Sequence, residues 1–252
     1  MDKNIFYQYI FDAKPFVQHS PSHWGALIVS VLLIIFVPYL SKRFLHKDKQ
    51  ILLGKWIGWV IFGSYFAWIL IEIAAGTFEL KKHLPFQLCR FSNLVVILML
   101  NYRREFWFQI IYYWTVTAVL QASLAPDMQQ DFPHFYFFRF FIGHTGMILA
   151  IVYALVVYEM RPTMLGYKNG FIATNVYALF TIILNLSLGA NYFYTLAKPV
   201  TASPLDHFGP WPIYILVCEA LLLVQGGIFY IHLWLPKHVL SLCGLINRTK
   251  PS

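Results

Sequence analysis

The sequence predicts an all-α fold: a polytopic membrane bundle of seven transmembrane helices, N-terminus out and C-terminus in. Composition comes first. Of 252 residues, 59% are hydrophobic and only 12% are charged, about half the charge of an ordinary soluble domain. Seven apolar runs then recur along the chain, most of them near the ~20 residues a helix needs to cross a bilayer core. They lack the strict alternation of strands. Outside a closed barrel, only helices satisfy the backbone polar groups in lipid. A single transmembrane domain covering residues 1–252 is expected.

The runs fall at residues 24–40, 54–76, 85–100, 106–124, 135–158, 169–188 and 211–236. The first follows a mixed polar and aromatic stretch without a basic n-region or a small-residue cleavage site, so no cleaved secretory signal is expected. The second carries Glu72 close to its outer end. The third is short and opens on Pro85, whose ring suits the first position of a helix. The fourth leads into a loop holding Asp127, Asp131 and His134. The fifth carries His144, flanked by Gly143 and Gly146. The seventh carries Cys218 and Glu219.

Orientation follows from the basic residues. Of the 19 Lys and Arg, 7 fall on the N-terminal side and 12 on the other when Arg139 is assigned to the loop before the fifth helix. Basic loops face the cytoplasm. The net charge of +8 sits in short loops rather than on one polar face, which argues against nucleic acid. No phosphate-cradling glycine loop is present, so no nucleotide is expected. The three cysteines cannot close a disulfide framework, and Cys218 and Cys243 read as structural or incidental.

With that orientation, Cys89 lies about 6 Å inside the outer boundary, and His144 and Glu219 about 12–14 Å deep from the same side, at the helical rise per residue. An outward-opening polar cavity among the second, third, fifth and seventh helices is the expectation. Ionisable groups are costly to hold in a membrane and mark functional sites. Glu72 and Glu219 either serve that cavity or pair structurally across helices.

Cys89 and His144 are the candidate catalytic pair. A thiolate is the nucleophile, and a histidine base, oriented by a third polar group, is a recurring way of making one. Glu72, Asp127 and Glu219 are candidates for that third group. Arg90 and His83 add positive charge near the thiol, and Gln87 and Asn93 are candidate oxyanion donors. His83, Cys89, His134 and His144 are residue types that zinc accepts. No tight ligand spacing joins them, so no metal and no cofactor is expected.

Several segments resemble the YwaF-like family of bacterial integral membrane proteins. They are His83-x-Pro85-x-x-Leu88-Cys89, Pro126-Asp127, Phe141-x-Gly143-His144, Gly189-x-Asn191-Tyr192, Lys198-Pro199 and Leu205-x-x-x-Gly209-Pro210-Trp211-Pro212-x-Tyr214. Eukaryotic relatives are similar to seven-helix phospholipid transacylases, which move a fatty acyl chain onto a lyso ether lipid through a cysteine and a histidine. Cys89 and His144 match those two by position. More distantly, the architecture is similar to membrane threonine hydrolases of fatty acid esters, although no threonine replaces Cys89. The eukaryotic proteins carry histidine directly after the cysteine, where this chain has Arg90.

The resemblance implies acyl transfer on a membrane phospholipid or lyso-lipid in a bacterial inner membrane. Asn191 and Tyr192 then cap the last helices or line the cavity mouth. The alternative is a transporter or small-ligand-binding protein using the same cavity without covalent chemistry.

Overall fold

Polar residues point inward and aliphatic residues outward along the first long helix of the computed structural model, which describes residues 14–200 and 203–242, with side chains as far as residue 231. This helix, α1 (Pro21–Phe44), buries His23, Ser30, Pro38 and Ser41, while Ile28, Val29, Leu32, Ile35 and Phe36 are exposed. A water-soluble helix shows the reverse. In lipid no hydrophobic force joins helices, so small and polar side chains make the contacts. Ser30 bonds Thr145 at 2.6 Å and Ser41 bonds Tyr153 at 2.8 Å.

The same logic shapes α2 (Lys47–Ala74), which buries the stripe Gly54, Gly58, Ile61, Tyr65, Trp68 and Glu72. A short helix α3 (Leu80–His83) and a turn lead into α4 (Leu88–Tyr102). Next come α5 (Glu105–Trp114), a π-helical turn (Thr115–Val119) and α6 (Leu120–Leu124), in one uninterrupted helical stretch. Then follow α7 (Phe135–Val156), α8 (Met164–Leu188) and α9 (Ile213–Leu242). On α8 the buried stripe is Gly166, Gly170, Thr174, Tyr177, Thr181 and Asn185. Among the described residues the molecule is helical, with one isolated β-bridge between Pro15 and Gln130.

Five helices are long and apolar enough to cross a membrane: α1, α2, α7, α8 and the described part of α9. Helix α4 is a shorter apolar helix, and the stretch after it is divided by the π turn. Helix α4 sits in the middle, packed on α2, α5 and α7. Val96, Met99, Leu100, Phe108, Ile111, Met147 and Ala150 make the dry centre there.

Boundaries differ from the sequence expectation, and three starts are instructive. Helix α2 begins at Lys47, because its basic first turns continue the helix below the apolar run. Helix α8 begins at Met164, where Thr163 accepts a hydrogen bond from the Gly166 amide at 2.9 Å. Helix α4 begins at Leu88, with Gln87 as its N-cap, not at Pro85. Pro85 lies in the preceding turn. Arg139 lies inside α7 rather than in the loop before it. Cys243 and the basic residues beyond it lie outside the described residues.

Candidate functional site

The turn before α4 sets the position of Cys89, and side chains from three other segments hold that turn. Tyr65 of α2 donates to the His83 carbonyl at 2.9 Å, and Tyr177 of α8 donates to the Phe86 carbonyl at 3.0 Å. Tyr192 accepts from the Leu84 amide at 3.1 Å and donates to the Leu80 carbonyl. The Gln87 side chain accepts from the Phe193 amide at 2.9 Å. Irregular buried backbone must find such partners, and here they come mainly from tyrosine hydroxyls.

Cys89 is therefore the second residue of α4, within its first turn. The amides of that turn have no partner inside the helix, and the positive end of the helix dipole lies there. Cys89 is half-buried against the central core. The His144 side chain of α7 is its neighbour and acts on the thiol electrostatically. His144 is buried, and its Nδ1 lies 2.9 Å from the Phe140 carbonyl, one turn back on α7. A carbonyl only accepts, so Nδ1 is the donor, and in the neutral ring Nε2 bears the lone pair. The orienting group is thus a backbone carbonyl. None of Glu72, Asp127 and Glu219 takes that role, because a helical i−4 carbonyl already reaches the ring.

Gly143 explains how α7 comes so near. A Cβ built there would fall 2.7 Å from Asn93 Nδ2. Gly146 meets Ile61 of α2 in the same way, at 2.6 Å. Phe140 stacks on the His144 ring with centroids 4.0 Å apart and planes 19° apart.

Above this pair lies a cavity of about 560 Å³, whose wall includes Phe140, Gln87, Asp127, Asn191 and Tyr192. Its wall is strongly basic, with Lys81, Lys82, Arg90, Arg139 and Lys198. Cys89 and His144 are not part of the wall; Phe140 covers the imidazole from that side. A separate apolar crevice of about 650 Å³ lies between α1, α2 and α7, on a different face of α7.

Residues 18–230 match the TMEM164 family. The chain belongs to the TMEM164 family. The match is to that family rather than to the YwaF-like one specifically. An uncharacterized protein of Treponema pallidum (strain Nichols) is 23% identical over 223 residues, covering 87% of this chain and 91% of that protein. No solved structure matches.

The other expected site residues divide into two sets. Asp127 accepts from the Tyr194 hydroxyl at 2.9 Å at the cavity wall. His83 also lines the cavity; its Nδ1 accepts from the Glu79 amide at 2.7 Å, and its Nε2 lies 3.7 Å from Glu72. Burial holds this imidazole below its ordinary range despite that carboxylate. Asn191 spends its amide on the Ala197 carbonyl and on two loop amides. Asn93 is buried beside Gly143, and its Oδ1 has no hydrogen-bond partner.

Three residues serve the scaffold. Glu72 accepts from Trp68 Nε1 at 2.8 Å, from Thr77 at 2.5 Å and from the Tyr136 hydroxyl. His134 caps α7 through its own side chain. Glu219 accepts from Asn175 at 3.0 Å between α9 and α8, away from the cavity. Among the described residues, no group of three or more His, Cys, Asp or Glu is arranged to hold a metal ion.

The sequence reasoning passed over Trp68 and Arg139. Arg139 had a signal, a charge at the fifth position of an apolar helix, but assigning it to a loop removed it from consideration.

Proposed function

We propose that this chain transfers acyl groups between membrane lipids through a Cys89–His144 pair. What carries the reading is the pairing of the thiol with a neighbouring imidazole whose Nδ1 is bonded to a carbonyl. His144 Nε2 takes the thiol proton, and the Cys89 thiolate attacks an ester carbonyl of a phospholipid. The ester C–O bond breaks, the departing lyso-lipid alkoxide takes the proton from His144, and a thioester remains. The hydroxyl of a lyso-lipid gives its proton to His144, attacks the thioester and releases the thiolate. Water in place of that hydroxyl makes the enzyme an ester hydrolase. The amides in the first turn of α4, which have no partner inside the helix, are the oxyanion donors in this scheme.

The same reading takes the chain as a seven-span protein. Helix α4 and the stretch from α5 through α6 add to the five long helices. The N-terminus faces out, in a bacterial inner membrane. The basic loops and the YwaF-like segments support it.

The covered imidazole favours a second reading, in which the basic cavity binds a ligand without chemistry. The deciding experiment supplies the purified protein in vesicles with a phospholipid donor and a lyso-lipid acceptor, and follows products by mass spectrometry. Cys89→Ser and His144→Ala each abolish transfer while the protein still inserts. Undiminished transfer by either variant rejects the mechanism and leaves the binding reading.

A further inference from the structure

Two arginines share one tryptophan at the floor of the basic cavity. The guanidinium carbon of Arg139 lies 4.1 Å from the Trp68 ring centroid, and that of Arg90 lies 4.4 Å from it. Trp68 cannot turn away, because its indole N–H is bonded to Glu72, itself tied to Thr77 and Tyr136. The arginines arrive from different helices, α4 and α7, and are held as a pair by this rigid plate.

Like charges brought together at a half-buried site repel strongly unless an opposite charge joins them. Among the described residues, no carboxylate oxygen lies within 4.0 Å of either arginine; the ion pairs are Lys42–Glu159, Lys82–Glu79 and His83–Glu72. Arg90 donates one N–H to the Lys82 carbonyl. The buried Nε of Arg139 has no partner at all. Both side chains form the cavity wall, together with Lys81 and Lys198. The carboxylate on that wall, Asp127, is engaged by Tyr194.

A pair of guanidinium forks with free N–H groups matches the oxygens of a phosphate, which take two parallel hydrogen bonds from each arginine. The aromatic plate that both guanidinium groups stack on keeps the forks in place while leaving their edges free. We propose that Arg90 and Arg139, braced on Trp68, form a phosphate-binding subsite in this cavity. Its ligand is a phosphate group, carried by a lipid headgroup or free in solution. Under the acyl-transfer reading, on which this inference builds, the subsite holds the headgroup while the acyl ester reaches Cys89. Arg90 follows Cys89 directly, and Arg139 precedes Phe140, which stacks on His144.

The test uses the full chain carrying Cys89→Ser, in a maltoside detergent, so that binding is read without turnover. Dihexanoylphosphatidylcholine, dihexanoylglycerol and inorganic phosphate are titrated separately against thermal stability and tryptophan fluorescence. Saturable stabilisation by the phospholipid, with none by the glyceride of equal chain length, supports the subsite. Arg90→Gln and Arg139→Gln each weaken that binding about ten-fold or more, as expected for losing a charged bidentate contact. Saturation by inorganic phosphate alone, lost in the same variants, also supports the subsite and identifies the ligand as free phosphate. Equal stabilisation by dihexanoylglycerol overturns the proposal, as does unchanged affinity in Arg139→Gln. If an arginine variant does not fold, the phospholipid–glyceride comparison in the parent and in Lys198→Gln decides instead. Failure of the transferase reading leaves these binding measurements unaffected, so the two failures are separable.

Discussion

Gly143 of α7 and Asn93 of α4 meet where a methyl group on the glycine would fall 2.7 Å from the asparagine Nδ2. Gly143 immediately precedes His144, and Asn93 lies one helical turn beyond Cys89. This close approach is what brings a thiol and an imidazole on separate helices together as neighbours. Gly143→Ala forces the buried Asn93 amide aside and costs about 1–3 kcal/mol, the usual range for overpacking. Asn93→Ala makes room for the new methyl, so the double variant is more stable than the sum of the two single effects predicts. A double-mutant cycle on thermal unfolding in detergent measures that coupling. Additive effects would show that the two residues do not touch.

The base role proposed for His144 has its own signature. In a chain with Cys218 and Cys243 replaced by Ala, Cys89 reacts with a membrane-permeant maleimide as the remaining thiol. His144→Ala removes the proton acceptor and slows that reaction about ten-fold or more, because the thiolate is the reacting species. His144→Gln retains a hydrogen-bonding side chain but no base, and is equally slow. Unchanged labelling rates in both variants would remove His144 from the chemistry.

Long apolar stretches made the helices legible in the sequence, since a run of that length in lipid has one backbone solution. Cys89 and His144 drew attention for a related reason: ionisable side chains stand out against apolar surroundings. The lead-in to α4 was not legible. Pro85 is acceptable both at a helix start and in a turn, and only the distant hydroxyls of Tyr65, Tyr177 and Tyr192 decide between them. The orienting partner of His144 escaped because every residue carries a carbonyl, and no side-chain pattern marks the one that is used. For Glu72 the sequence left open service to the cavity or structural pairing, and the three donors that occupy it are visible only in the fold.

Phe140 stands between the basic cavity and the imidazole, so its removal opens one to the other. Phe140→Ala increases labelling of Cys89 by an anionic, water-soluble methanethiosulfonate. The cationic analogue gains less, because the lysines and arginines of the wall repel it. The substitution costs stability of about 3–5 kcal/mol if the space stays empty, and Phe140→Leu provides a milder version of the same opening. Stopped-flow comparison of the two reagents reads the effect. Equal rates for both charges would show that access does not run through this cavity.

Tyr177 supplies the last prediction, since it reaches the turn before Cys89 from α8 without taking part in any proton transfer. Tyr177→Phe keeps the ring, which packs on Phe91 at a centroid distance of 4.9 Å, and removes only the hydroxyl bonded to the Phe86 carbonyl at 3.0 Å. A carbonyl left without its partner in a buried setting costs about 1–3 kcal/mol. The turn gains freedom and Cys89 no longer holds one orientation toward His144. Under the proposed mechanism acyl transfer therefore falls several-fold, while the pH at which Cys89 labelling is half-maximal stays close to that of the parent. His144→Ala by contrast moves that midpoint upward, because it removes the group that stabilises the thiolate. Measuring both rate and midpoint separates a residue that positions the nucleophile from one that ionises it. A midpoint shift in Tyr177→Phe equal to that of His144→Ala would contradict the positioning role.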